Sequence, residues 1–468
     1  MSTRRNFLRQ GSCAAVSSIP ILNTLLNLRL AGSIAAATPA NNEYRALVCL
    51  FLSGGNDSFN MLMPRSAPHY ASYLAARANL ALPQASLLPI SPTNLTGGLQ
   101  LGLHPGMAPV QTLFESGRAA FIANIGTLLE PTTPAAFDAG TANLPLGLFS
   151  HSDQIEQWQT STPDIRSSRG WAGRTADVLR DLNANNTVSM NISLGGNNTF
   201  QSGQTAYEYS VDGSGATRLN SYDSQFSTDN QISQIRSAAL DGQLAMKYSN
   251  LLAQGFASSK REAMDAYELF NSAIAPSLPS TATFPPGRLG DSFRMVAKCI
   301  QGQSVLGHTR QTFFINVGGW DMHDKVLSTM DALIPAISAN LAAFDRAMTA
   351  IGMGNQVTTF TASDFGRTLT SNGDGSDHAW GGNQMVIGGA LSAGGTGRKV
   401  YGTYPDLAPS GPSYLGRGIL VPTTPVDNYF AELALWLGVS KTQLPLVLPN
   451  IGRFYDTASS ANPLGFLA

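Results

Sequence analysis

Carboxylates and imidazoles stand directly behind three short apolar runs of this chain. The run Arg45 to Leu52 gives way to Ser53-Gly54-Gly55-Asn56-Asp57-Ser58, and Thr312 to Val317 gives way to Gly318-Gly319-Trp320-Asp321-Met322-His323-Asp324. Gln356 to Thr361 leads into Ala362-Ser363-Asp364-Phe365-Gly366-Arg367-Thr368, with Asp377-His378 shortly after. Taken singly, an Asp in such a place is as readily a helix cap or a turn residue. Gathered at one point, the same acids and histidines would repel or stay unsatisfied unless a cation lay among them. A divalent metal site is the expectation. Mixed Asp and His ligation suits Zn²⁺ or Mn²⁺, and Mg²⁺ or Ca²⁺ if oxygens dominate.

A fourth segment, Ser150-His151-Ser152-Asp153-Gln154, opens an amphipathic stretch that runs to Trp158. Hydroxyls at a helix N-terminus meet free amides and the positive end of the dipole, which favour an oxyanion or an alkoxide. Ser150 or Ser152 is therefore either a nucleophile or simply an N-cap, and His151 either a site residue or a surface one. Other chemistries lack their motifs. No Gly-x-Ser-x-Gly elbow follows a strand in the usual position. Leu52-Ser53-Gly54-Gly55 has neither a phosphate-binding lysine nor the dinucleotide glycine spacing.

These residues need a scaffold that brings strand ends together. Arg45 to Leu52 is apolar on both faces and too short for a buried helix, so it belongs in the middle of a covered sheet. Similar strands are expected at Ala119 to Ile125, Thr312 to Val317, Gln356 to Thr361 and Met385 to Ile387. Helical patterns lie between them: Met107 to Ser116, Arg169 to Leu182, Ser233 to Gly255, Lys260 to Ala273, Leu289 to Gln301 and Lys325 to Ile351. Alternating strands and helices predict an α/β fold with a mainly parallel central sheet and helices on both faces. Ligands of such sheets bind where the strands end. Residues 183–229, rich in Asn, Ser and Gly, interrupt the alternation. Val188 to Leu194 and Tyr207 to Val211 are expected there as a β-hairpin or cap. The sequence thus divides into a leader over residues 1–37 and one α/β domain over 42–468, which carries the insertion 183–229 and a helical segment 230–305.

The chain has 468 residues, of which only 13% are charged, and a net charge of −1. A balance so near neutral offers no field for gathering phosphate backbones, so nucleic acid is not an expected partner. Residues 1–37 hold Arg4, Arg5, Arg9 and Arg29 and no acid; a modest apolar stretch follows the paired arginines and ends in Ala35-Ala36-Ala37. That order is expected of a signal peptide, and the arginine pair resembles a twin-arginine signal. The expected partner is the twin-arginine translocation machinery, and the expected location is periplasmic or secreted. Loss of those four arginines would take the net charge from −1 to −5. The apolar run is too short and too interrupted for a permanent membrane span, and no other stretch is expected to reach that length. Cys49 and Cys299 lie in apolar contexts and are expected as buried free thiols.

Several of these motifs occur together and in order. The arginine leader, the strand ending Phe51-Leu52-Ser53-Gly54-Gly55-Asn56-Asp57, Leu103-His104-Pro105-Gly106-Met107, Ser150 to Gln154, Gly319 to His323, Ser363 to Thr368 and Asp377-His378 resemble the exported bacterial family called "domain of unknown function 1501". That family is similar in turn, more remotely, to the alkaline phosphatase and sulfatase superfamily. The second resemblance implies Asp57 as a metal ligand after the first strand, Asp321 and His323 as a ligand pair, Asp364 as a ligand after a later strand, and Asp377-His378 as the last Asp-His pair. It implies Ser150 or Ser152 as the nucleophile, with His151 beside it. Phe365 stands where the superfamily has a histidine, and Arg367 would be the nearest cation to grip an anionic substrate. The implied activity is metal-dependent hydrolysis of a phosphate or sulfate ester, on a small anionic ester or a glycan. The alternative is a non-catalytic periplasmic or surface protein of the same fold that binds a glycan or a secreted partner.

Overall fold

A computed structural model describes residues 43–222 and 230–467. The expected leader, 1–37, and its cleavage site lie outside the described residues. Among the described residues, nine strands form the main sheet: β1 (Arg45–Leu52), β2 (Ala119–Gly126), β3 (Asn191–Ser193), β4 (Tyr209–Ser210), β5 (Arg310–Val317), β6 (Val357–Ser363), β7 (Gly382–Ile387), β8 (Val400–Tyr401) and β9 (Thr424–Pro425). Their order is β8-β2-β7-β6-β1-β5-β3-β4, and β9 also pairs with β2. β1 lies between two parallel neighbours, with Val48 opposite Phe313 on β5 and Thr359 on β6. Only β7 runs antiparallel, against both β2 and β6. The carboxyl ends of β1, β5 and β6 and the start of β7 therefore share one edge of the sheet.

The seven residues after Arg45 in β1 are all buried, as an apolar strand covered on both faces requires. Ala46, Val48, Leu50 and Leu52 enter a core with helices α5 (Arg288–Gln301) and α6 (Val326–Ala350). Leu47, Cys49 and Phe51 enter the opposite core with Trp158 of α1 (His151–Thr160), α2 (Trp171–Leu179) and α7 (Val426–Leu437). Each fully buried Leu or Phe contributes about 1.5–3 kcal/mol relative to exposure. Cys49 and Cys299 are free buried thiols in these two separate cores, on opposite faces of the sheet.

Three expectations need correction. The short strands in the Asn/Ser/Gly-rich insertion do not form a hairpin: β3 and β4 run parallel to each other, and β3 runs parallel to β5, so they extend the main sheet. The helices expected at Ser233 to Gly255 and Lys260 to Ala273 are instead α3 (Gln231–Leu244) and α4 (Leu251–Ile274). Asn250 causes the break, because its side chain accepts from the Leu252 and Ala253 amides and starts a new helix. Helix α6 is, by length and apolarity alone, a candidate membrane span, although no stretch beyond the leader was expected to qualify. Half of its apolar window is buried inside the protein. Asp345 near its end holds the Arg118 guanidinium through two 2.7 Å bonds, which ties the helix to the start of β2.

Candidate metal centre

The turn after β1 is built for close approach. Gly54 and Gly55 adopt φ of +119° and +81°, a region that disfavours side chains. A Cβ on Gly54 would fall 2.4 Å from the Asp321 amide nitrogen, and one on Gly55 would fall 2.5 Å from the Phe365 ring. The double glycine thus lets the first loop lie against the loops that leave β5 and β6. Ser363 Oγ donates to Leu52 O at 2.6 Å and accepts from the Asn56 amide at 2.9 Å, and the Gly54 amide donates to Asp364 Oδ1 at 3.0 Å.

Around that turn, three imidazoles point their Nε2 atoms at one carboxylate oxygen. Asp321 Oδ1 lies 3.3 Å from His151 Nε2, 3.0 Å from His323 Nε2 and 3.5 Å from His378 Nε2. His323 Nε2 and His378 Nε2 are 2.9 Å apart. The ligand atoms of His151, Asp321 and His378 all fall within 4.8 Å of one another. Each ring's other nitrogen faces an acceptor: His151 Nδ1 is 2.7 Å from Asp364 Oδ2, His323 Nδ1 is 3.3 Å from Asp377 Oδ1, and His378 Nδ1 is 2.7 Å from Phe149 O. A proton on each Nδ1 leaves three Nε2 lone pairs around the Asp321 carboxylate. His151 Nε2 is buried and has no hydrogen-bond partner. This is the arrangement that orients metal-bound histidines, with the far N–H held by a carboxylate or carbonyl, and the donor set fits a divalent ion.

The surroundings tune these groups. Burial lowers the His378 imidazole below its ordinary value, against the pull of the Phe149 carbonyl, so the ring is kept neutral. Burial works against ionisation of Asp321, yet the Arg367 guanidinium and the facing histidines hold its carboxyl below the usual range. Asp364 shifts the other way: burial raises it, although the Gly54 amide and His151 oppose the shift. Hydrogen bonding from Asn372 chiefly lowers Asp377, with His323 and Arg417 adding to it. The loop that carries Asn372 and Asp377 is packed tightly, since a Cβ on Gly375 would sit 2.0 Å from His323 O.

The structure brings Asp321, His323 and His378 into one cluster, with Asp364 and Asp377 behind the imidazoles. His151, expected beside a nucleophile, is the third imidazole of the set. Phe365, in the place of the superfamily histidine, packs its ring 4.8 Å from His151 and 4.7 Å from His378. Asp57 is not among the residues whose ligand atoms converge. Its buried carboxylate pairs instead with the equally buried Arg77, which also donates to Thr368 O at 2.9 Å. Arg367 is fully buried and engaged with protein groups: Gly55 O at 2.9 Å, Ser376 O at 2.7 Å, Gly54 O at 2.6 Å, and Asp321. It positions Asp321 and has little left to grip a substrate. Ser150 is the N-cap of α1, and its Oγ lies 3.1 Å from Ser152 Oγ, so both hydroxyls flank His151 in the first turn.

Sequence reasoning missed Arg77, Asn372, Arg417 and the Phe149 carbonyl. The positive φ of Phe149, +75°, turns that carbonyl toward His378 and has no signature in the residue types. An arginine twenty residues after a buried aspartate was the one available signal for the Asp57 pairing.

The fold and the site together define an α/β protein with three imidazoles and a carboxylate converging at the carboxyl edge of its sheet. The chain belongs to the family described as "Protein of unknown function (DUF1501)", whose model matches residues 44–411. No curated protein matches it. Among solved structures it is similar to Ps i-CgsB in complex with k-i-k-neocarrahexaose, at 8% identity and a TM-score of 0.31, covering 88% of this chain and 78% of that one. It is also similar to a 2-O GAG sulfatase, at 9% identity and a TM-score of 0.24, covering 74% and 65% of the two chains. A sulfatase from Pseudoalteromonas sp. is 10% identical with a TM-score of 0.27, covering 90% and 72%.

Proposed function

We propose that the protein is an exported, metal-dependent hydrolase of phosphate or sulfate esters whose single divalent ion is held by His151, His323, His378 and Asp321. The observation that carries this reading is the convergence of three Nε2 atoms on Asp321 Oδ1 while every Nδ1 faces an acceptor. Three nitrogens and one oxygen favour Zn²⁺, or Mn²⁺, over Mg²⁺ and Ca²⁺. When bound, such an ion supplies Lewis-acid polarisation of the ester oxygens. The chain's own residues do the rest. Asp364, Asp377 and the Phe149 carbonyl fix the rings, Arg367 holds Asp321 ionised, and the first turn of α1 offers Ser150 and Ser152 with its free amides to an anionic group. The ester class is supported by the ordered motifs of the sequence, and export by the paired arginines of the leader.

The test is assay of purified protein for bound metal and for hydrolysis of chromogenic phosphate and sulfate esters, with Ser150→Ala and Ser152→Ala alongside. Metal-dependent cleavage that is abolished by one serine substitution assigns the nucleophile. Cleavage that survives in both variants makes water the attacking group. A protein that retains its metal and cleaves neither ester contradicts the hydrolase reading and favours the binding-protein alternative.

A further inference from the structure

Arg367 is fully engaged inside the protein, so any guanidinium that joins the metal and the first turn of α1 in meeting a substrate's negative charge has to be another one. We propose that Arg417 is that group, a specificity-determining residue one carboxylate behind the His323 ring of the metal centre; the proposal rests on the anionic-ester reading above. Arg417 sits at the tip of a small antiparallel hairpin, Tyr414–Leu415 with Ile419–Leu420, between Gly416 and Gly418. Its φ is +62°, a conformation that residues with a side chain rarely adopt. The tip is pinned to the segment that follows Arg367. The Leu369 amide donates to Gly418 O at 2.8 Å, the Thr370 hydroxyl donates to Arg417 O, and the Gly418 amide donates to the Tyr414 hydroxyl at 3.0 Å. A Cβ on Gly418 would lie 2.4 Å from the Thr370 nitrogen, so no other residue fits that contact.

This rigid tip carries a guanidinium that is 78% exposed, with Nη2 3.0 Å from Asp377 Oδ2. The other oxygen of the same carboxylate faces His323 Nδ1 at 3.3 Å and Asn372 Nδ2 at 3.0 Å. Arg417 therefore stands one carboxylate away from the imidazole cluster, with donors still open to solvent. The charges point the same way. Asp321, Asp364 and Asp377 outnumber Arg367 and Arg417 by one, so the cluster without an ion repels anions, whereas a divalent ion turns it net positive. Anion capture should then need both the metal and Arg417. A guanidinium fork matches the paired oxygens of phosphate or sulfate, which an amine matches less well.

Isothermal titration of inorganic phosphate and of sulfate into the metal-loaded full chain, with metal content measured on the same samples, tests this. The expected result is binding that falls about tenfold or more in Arg417→Gln, falls less in Arg417→Lys, and disappears on removal of the metal, with metal content unchanged in both variants. Unchanged anion affinity in Arg417→Gln overturns the proposal, as does the absence of anion binding by the parent protein. Loss of metal in step with loss of the anion also overturns it, because Arg417 would then act only through Asp377. Failure of the hydrolase reading is separate: it shows as no ester cleaved by a parent protein that still binds the anion through Arg417.

Discussion

His323 Nε2 and His378 Nε2 lie 2.9 Å apart, while their Nδ1 atoms face Asp377 and Phe149 O respectively. With both Nδ1 protons given to those acceptors, no proton is left between the two Nε2 lone pairs. His151, held at Nδ1 by Asp364, brings a third Nε2, 3.3 Å from Asp321 Oδ1 and without a hydrogen-bond partner. The number of converging rings, more than any single distance, is what calls for a cation.

The carboxylates behind and beside the cluster have separable roles. Asp364→Ala removes the acceptor that orients His151 and should weaken metal affinity about 10–100-fold, the usual effect of losing such a partner. Asp57→Ala leaves the buried Arg77 charge unpaired and should cost about 3–5 kcal/mol of stability while one metal per chain is retained. Chemical denaturation and competitive metal titration of both variants check this; loss of metal in Asp57→Ala would place Asp57 in the centre after all.

Much of this scaffold is legible in the sequence, because β1 is apolar on both faces, β5 carries Phe313-Phe314-Ile315 and β6 is rich in β-branched residues, a set that suits a covered parallel sheet. That placed Asp57, Asp321 and Asp364 at one edge. What the sequence does not carry is which side chain satisfies which. Asp57 and Asp364 occupy equivalent positions after their strands, yet one meets Arg77 and the other His151. The partners come from helices, one 20 residues away and the other 213, and their approach depends on packing. The same holds for the insertion, where β3 and β4 look like a hairpin by local alternation but pair parallel, because β5 offers them an open edge.

Asp427 should give the protein a pH-dependent stability. It is fully buried, with one oxygen bonded to Ser161 Oγ at 3.0 Å and the other unpartnered. Burial pushes its carboxyl up to about 7 from an ordinary value of 3.8. The folded state therefore binds the extra proton between these values. Its stabilising contribution is complete below about pH 4 and is lost as pH rises through about 7, a change of about 4 kcal/mol. His308, held down at about 4 by burial, acts in the opposite direction on the acid side, and comparison of variant with parent removes its effect. Asp427→Asn should be more stable than the parent at pH 8 and similar to it at pH 4, by urea unfolding. Parallel stability profiles for the two proteins would show that the carboxyl does not titrate as described.

Gly55→Ala tests the close approach after β1. The new Cβ would need φ near +81° and would meet the Phe365 ring at 2.5 Å. Phe365 packs on His151 and His378, so the strain reaches the imidazoles. A loss of about 1–3 kcal/mol is expected from the backbone conformation alone, together with weaker metal binding. Thermal unfolding with and without added Zn²⁺ reads both effects. A variant with unchanged stability and affinity would mean that the turn tolerates a side chain.

X-ray absorption spectroscopy of the zinc-loaded protein examines the central claim most directly, since it reports the ligands of the bound ion. The account predicts one tightly bound ion per chain with three imidazole nitrogens and at least one oxygen at about 2.0–2.2 Å, and loss of an imidazole contribution in His378→Ala. A protein that takes up no divalent metal, or an ion whose spectrum shows no imidazole ligand, would contradict it.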